Sequence, residues 1–504
     1  MSAPLVETRI GAVIGETLGG VRAFKGIPFA RALRFRRATP FPAWDAPRRC
    51  TAFGPVAPQP GLVSDDAEAD CLTLNIWTPA AIEQPLPVLF FIHGGAFIAG
   101  AGSDYDGTHL AAHGPAVIVT INYRLGPLGF LQLDRLGGPL SEASNLAVTD
   151  TLAALDWVRD NIGTFGGNAD AITLIGQSAG AALVVTLMTL PQARGKFRGA
   201  IAFSVPGRGI MPKPQADEIA DRFLTSLKLA PRDAARILDV PVRTLLETAE
   251  RVGRDVADHT AHGTLFGPVP DGAIIPCDPR QAVAEGAVRE QSLWLGSCRD
   301  EMTMFLKSTP PAAMIRVTEA RIRSQFGDPG WERLLTCYRD TARADEDAYE
   351  ALLSDAMWHR PLDELAQLQD QARGRVWLSR FDHAPRLEPF RSQGPTHGAD
   401  NACLWAHPPT FLDRPILGRA GGPMTLADIE VAARLQACVL RFARNGQPDD
   451  ATHWPSFTAS GRQFAVFDSP FRISSVKDTP RDEAWRLLKG ARRLIGVTPR
   501  ADRR

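Results

Sequence analysis

The chain has 504 residues, 44% of them hydrophobic and 22% charged, and its 56 basic residues balance 56 acidic ones. That composition belongs to a globular protein with a large core, and zero net charge argues against a nucleic-acid binder, which ordinarily carries a basic excess. The longest apolar stretch, near Ala181 to Leu190, falls short of the roughly 20 residues needed to span a bilayer, so no membrane partner is expected.

The start of the chain, where Glu7 and Arg9 interrupt any apolar run, reads as no secretory leader. Short apolar runs then recur as buried strands. Val88–Ile92 is the first clear one, and a glycine-rich turn follows it. Ala116–Ile121 is the next. Val148, Leu152, Leu155 and Ile162 share one face of a predicted helix, with Gly163 and Gly166–Gly167 as stop signals. Ile172–Ile175 is a strand that runs into a turn at Ser178. A small-residue apolar helix follows and ends before Pro191. Further strands are expected at Ala200–Phe203, Leu293–Leu295 and Val376–Phe381. Two charged helical stretches, near 212–254 and 310–371, read as insertions that roof the sheet. Strands alternating with helices predict an α/β fold with a mainly parallel sheet covered on both faces. No linker or repeat divides the chain, so residues 1–504 are expected to form one domain.

Seven cysteines (Cys50, Cys71, Cys277, Cys298, Cys337, Cys403 and Cys438) are scattered without metal-ligand spacing. No metal and no disulfide framework is expected, and a reducing compartment, the cytoplasm, is.

The strongest chemical signal is Gly176-Gln177-Ser178-Ala179-Gly180. An apolar strand precedes it and a small-residue helix follows, the context of a nucleophile elbow in an α/β-hydrolase fold. The turn is so sharp that side chains two before and two after the serine would strike backbone. The second signal is the glycine-rich turn after Val88–Ile92, His93-Gly94-Gly95-Ala96-Phe97. Acyl transfer builds negative charge on a carbonyl oxygen, and backbone N–H groups must already face it. The amides of Gly95, Ala96 and Ala179 are assigned to that oxyanion hole. His93 reads as a loop-shaping residue rather than the base.

The acid and base should follow the serine in that order. His359, His383, His397, His407 and His453 are available. Glycines flanking the 394–400 loop favour His397, with His383 second; His453 looks like surface. Asp300 and Glu301 both follow the Leu293–Leu295 strand and both qualify as the acid.

Several motifs together resemble the type-B carboxylesterase/lipase family, which includes bacterial para-nitrobenzyl esterases, mammalian carboxylesterases and cholinesterases. They are Phe24-Lys25-Gly26-Ile27-Pro28-Phe29-Ala30, Asp70-Cys71-Leu72-Thr73-Leu74-Asn75, Asn122-Tyr123-Arg124-Leu125-Gly126 with Gly129-Phe130, Trp157 to Asn161 with Phe165-Gly166-Gly167-Asn168, Pro268 to Gly272, and His397-Gly398-Ala399-Asp400. The resemblance runs from about Gly11 to Trp485. It implies a Ser178–Glu301–His397 triad, with Ser204 at most behind it. It also implies a serine carboxylesterase acting through an acyl-serine on a small-molecule ester, with no cofactor; carbamates, amides or long-chain lipids are alternatives on the same triad. A non-catalytic interaction protein, as some relatives are, is disfavoured because all three triad positions are filled.

The chain departs from the family pattern in places. Gln177 stands where many members carry glutamate, and is expected only to flank the serine. Met302 replaces the glycine after the acid, Ala69 replaces the signature's glutamate, and Ala30 to Phe35 lacks a proline–glycine insert. Ala57-Pro58-Gln59 lacks the cysteine that pairs with the Cys71 position in secreted members. Phe97 and Phe130 serve equally as gorge or core residues.

Overall fold

The computed structural model describes residues 3–62, 70–207, 209–257, 265–308, 311–406, 422–449, 453–475 and 479–487. Runs such as Leu-Pro-Val-Leu-Phe-Phe-Ile and Val-Ile-Val-Thr-Ile are apolar throughout because they are buried on both faces. Eleven strands of the described residues form one sheet. In chain order they are β1 (Glu16–Leu18), β2 (Val21–Pro28), β3 (Thr73–Pro79), β4 (Leu86–Ile92), β5 (Val117–Ile121), β6 (Gly167–Gln177), β7 (Gly199–Phe203), β8 (Ser292–Cys298), β9 (Val376–Phe381), β10 (Gln463–Phe467) and β11 (Arg472–Ser475). Across the sheet the order is β11-β10-β9-β8-β7-β6-β4-β5-β3-β2-β1. From β5 to β10 all neighbours are parallel, while β1, β2, β3 and β11 pair antiparallel at the two ends. The α/β expectation therefore holds.

Alternation along β4 shows the two layers. Val88, Phe90 and Ile92 point into one apolar cluster; Leu89 and Phe91 point into the other. The first layer includes helix α1 (Leu146–Asn161), with the predicted face Val148, Leu152, Leu155 inward, and α2 (Ala179–Thr189).

The stretch near 212–254 contains α3 (Lys213–Ser226) and α4 (Val242–Ala257). The stretch near 310–371 contains α5 (Pro311–Arg339), α6 (Asp345–Ser354), a π-helical turn Asp355–His359 and α7 (Arg360–Gln371). These last elements divide by role. α5 and α6 form an apolar cluster of their own with Trp485, through Trp331, Leu334, Tyr338 and Leu352. α7 instead lays Leu362 and Leu365 into the first layer with Val376 of β9 and Leu378, so it covers the sheet rather than roofing it.

The second layer is α8 (Leu426–Asn445), which packs Val431, Leu435, Val439 and Phe442 against Trp294 and Trp377. Thr425 and Asp428 close its N-terminus as a reciprocal capping box.

Arg124 is 1% exposed and grips Asp150 of α1 with two hydrogen bonds, Nε to Oδ2 at 2.7 Å and a terminal nitrogen to Oδ1 at 2.6 Å. Its other terminal nitrogen donates to the carbonyl of Arg36, tying the N-terminal loops to the sheet's helix layer. All seven cysteines are free thiols. Among the described residues, no helix is long and apolar enough to cross a membrane.

Candidate active site

β6 ends at Gln177 and α2 begins at Ala179, leaving Ser178 alone in the turn. Its φ is +57°, a conformation that non-glycine residues adopt only under local strain. The Ser178 amide donates to the Phe203 carbonyl at 2.9 Å, and its carbonyl accepts from the Ala182 amide at 3.1 Å. The flanking glycines are sterically required. A Cβ at Gly176 would lie 2.5 Å from the Gly180 oxygen, and one at Gly180 would lie 2.0 Å from the Ile92 oxygen. The second contact presses the helix start against the end of β4, where the glycine loop begins. A Cβ at Gly94 would in turn meet Ser178 Cβ at 3.1 Å.

That loop is bent through Gly95, Ala96 and Phe97, all with positive φ (110°, 54° and 64°). The amides of Gly95, Ala96 and Ala179 donate to no protein acceptor among the described residues. Ala179 is buried, Gly95 half-buried and Ala96 exposed, and all three lie in the two turns that adjoin the serine. α2 adds the positive end of its dipole. Gln59 steadies the far side of the loop: its side chain accepts from the Gly100 amide and donates to the Gly100 carbonyl. His93 is buried, stacks on Tyr123 at 4.4 Å between centroids and contacts the Gly94 carbonyl through Nδ1. Burial lowers its pKa to about 4, so it stays neutral as a shaping residue.

The loops after β8 and β9 carry Glu301 and His397. An isolated bridge pairs Asp300 with Thr396, and the Asp300 amide donates to the Pro395 carbonyl at 3.1 Å. Each paired residue immediately precedes one of the two side chains, so the bridge sets them side by side. Glu301 Oε2 lies 2.6 Å from His397 Nδ1, and both groups are buried. Glu301 Oε1 accepts from Ser204 Oγ and from the Cys298 amide, each at 2.7 Å. Nδ1 therefore carries the proton and Nε2 the lone pair. Nε2 faces the elbow: Gln177 Nε2 is 3.2 Å from it. Among the described residues, no hydrogen bond joins Ser178 Oγ to His397.

Two aromatic rings flank His397, Trp358 at 4.5 Å and Phe305 at 5.2 Å between centroids. Met302, where the family pattern has glycine, accepts from the Trp358 indole through its sulfur at 3.3 Å. Behind the pair, His359 contacts the Cys298 carbonyl and Asp355. Burial pulls the His359 pKa down, but the bond to Asp355 and its charge outweigh this and raise it. Asp400 is buried in the same turn as His397; burial first, then the charge of Glu301, push its pKa up to about 7.

The remaining expectations sort clearly. Asp300 pairs with Arg299, and Glu301 is the carboxylate that faces His397. His383 is held by Asp428 of α8, away from this corner. His453 is exposed, while His407 and Ala69 lie outside the described residues. Phe97 and Phe130 are both buried and meet edge to face at 5.0 Å. Gln177 corrects its expectation: it does not merely flank the serine but reaches the imidazole. Ser204 stands behind Glu301, to which its hydroxyl donates, the place the resemblance implied for it. Sequence reasoning missed Trp358 and Phe305; no local signal marks a ring that meets its partner only through tertiary packing.

The Carboxylesterase family matches residues 2–487. The chain belongs to the carboxylesterase family. It is a carboxylic-ester hydrolase with the α/β-hydrolase fold. It is 32% identical to the para-nitrobenzyl esterase of Bacillus subtilis (strain 168), over 97% of this chain and 100% of the relative. It is 32% identical to the fumonisin B1 esterase of Sphingopyxis macrogoltabida, over 90% of this chain and 85% of that one. Among solved structures, a PNB esterase superposes with a TM-score of 0.83 at 31% identity, covering 96% of this chain and 100% of its own. A carboxylesterase of Geobacillus stearothermophilus superposes equally well, TM-score 0.83 at 33% identity, covering 95% and 99%.

Proposed function

We propose that this carboxylesterase hydrolyses small-molecule carboxylic esters through an acyl-serine formed on Ser178, with His397 as base and acid and Glu301 as its partner. The observation that carries the reading is the buried Glu301–His397 hydrogen bond, which leaves the lone pair of Nε2 at the elbow. In the first step Ser178 Oγ bonds to the ester carbonyl carbon while its proton passes to His397 Nε2. The carbonyl π pair moves to oxygen, and the free amides of Gly95, Ala96 and Ala179 receive that charge. Collapse of the intermediate breaks the bond to the alcohol, which leaves with the proton from Nε2. Water then repeats the sequence and frees the acid and Ser178. Glu301 keeps Nδ1–H in place and stabilises the imidazolium. Catalytic hydrogen bonds tighten when substrate arrives, so Ser178 Oγ is expected to close on Nε2 in the complex.

We also infer that the whole chain acts as one domain with α3 to α6 as insertions over the site. Its seven free thiols suit a reducing cytoplasm.

The test is para-nitrophenyl butyrate hydrolysis by wild type and Ser178→Ala, with a fluorophosphonate probe on both. Wild type turns over and takes the probe. The variant loses on the order of 10⁶ in kcat, as serine proteases do on loss of the nucleophile, and takes none. Near-normal turnover by Ser178→Ala would refute the assignment.

A further inference from the structure

Gln177 is fully buried at the end of β6, next to the nucleophile. Its Nε2 lies 3.2 Å from His397 Nε2, the nitrogen that has to take the serine proton. Because Nδ1 gives its hydrogen to Glu301, the resting Nε2 offers a lone pair and the Gln177 amide donates to it. The amide oxygen, Oε1, is buried with no hydrogen-bond partner. It lies over Gly94, where a Cβ would come within 2.9 Å of it. One half of this buried amide is used and the other half is orphaned, an arrangement that native interiors seldom keep without a reason.

We propose that Gln177 is a positioning residue for His397: its amide holds the neutral imidazole by Nε2 at rest, then turns over to present Oε1 to the imidazolium. The proposal rests on the serine-esterase reading above. When Nε2 takes the proton of Ser178, its new N–H faces the amide NH₂ donor to donor. The terminal torsion of a glutamine is broad and nearly two-fold, so a half-turn exchanges oxygen and nitrogen while the rest of the side chain stays in place. Oε1 then accepts from Nε2–H, sharing that hydrogen with the serine or leaving-group oxygen, and the orphaned acceptor is satisfied. No bond to Gln177 is made or broken. The proton still travels from Ser178 to His397 to the departing alcohol, and the amide turns back once it has left. A carboxylate at this place would favour the imidazolium at every stage; the amide favours it only after proton transfer. The ionisable groups packed about His397 are Glu301 at Nδ1, Asp400 in the same turn, and His359 beyond the Cys298 carbonyl.

The experiment compares wild type, Gln177→Met and Gln177→Glu on para-nitrophenyl butyrate from pH 5 to 9, with fluorophosphonate labelling of each. Gln177→Met keeps the length and removes the amide. It is expected to lower kcat about tenfold with KM little changed, because the lost interaction belongs to the transition state. Gln177→Glu places a permanent charge beside Nε2 and is expected to move the acid limb of kcat/KM upward by about one pH unit. A packing role alone predicts no movement of that limb. Wild-type kcat in Gln177→Met, or an unmoved acid limb in Gln177→Glu, overturns the proposal. If Gln177→Met does not fold, the isosteric glutamate variant decides alone. Failure of wild type to take the probe would instead refute the serine reading beneath it.

Discussion

Glu301 accepts three hydrogen bonds, from the Cys298 amide, the Ser204 hydroxyl and His397 Nδ1–H. Its carboxylate is thus aimed before any substrate arrives. Glu301→Gln would keep the shape but offer an NH₂ group where Nδ1–H needs an acceptor, favouring the wrong tautomer. A loss on the order of 10⁴ in kcat, with the fold intact by circular dichroism, is expected from the equivalent change in a serine protease. At this scale the sequence was legible where chemistry demands a local pattern. Gly176 and Gly180 could be read as obligatory because the turn itself excludes side chains. The choice between Asp300 and Glu301 could not be read locally, since both follow β8. In space they differ: Glu301 faces His397 while Asp300 pairs with Arg299, and the Asp300–Thr396 bridge sets those directions. The reach of Gln177 was hidden for the same reason: residues 177 and 397 meet across the sheet.

The strands were legible because burial on both faces leaves continuous apolar runs, and β4, β5, β7 and β9 fall where those runs do. α8 was not singled out, although Thr425 with Asp428 is a capping signal; half of each turn of that helix faces water and dilutes the apolar period. The π turn Asp355–His359 was also invisible, since its residues include no helix breaker. One extra residue per turn rotates Trp358 onto His397 and His359 under Cys298, and such turns recur at functional sites. Trp358→Leu is expected to lower kcat about tenfold, because the ring both dries the imidazole and meets its positive form. Trp358→Phe should restore most of that, and steady-state kinetics of the pair against wild type would check it.

At the scale of the molecule, two carboxyls near the site, the buried Asp400 and the half-buried Glu350 of α6, each burden the fold. Burial raises Asp400 and Glu350 to about 7 each, above the values of an unfolded chain. The folded state then binds these protons more tightly, so their contribution favours folding at low pH and declines as pH rises from about 4 through 7. Asp400→Asn removes one such group without changing its shape. The melting temperature of the variant minus that of wild type should therefore increase from pH 5 to pH 8, by roughly 2 °C or more. A flat difference would mean that Asp400 is ionised in the folded state without cost. The Arg124–Asp150 pair, between the end of β5 and α1, binds the N-terminal loops to the helix layer, and breaking such a pair ordinarily costs about 3–5 kcal/mol.

Cys298 stands at the junction of these parts. Its amide reaches Glu301, its carbonyl reaches His359, and burial, then the nearby Asp400 and Glu301, hold its thiol well above the ordinary range. A thiol so placed is inert to alkylation while the corner is closed and becomes reactive only when the acid's loop lifts. The half-buried Cys277 and Cys337 lie elsewhere and supply a native background. The protein thus carries its own chemical stopwatch for any opening of this corner, readable residue by residue in a mass spectrum.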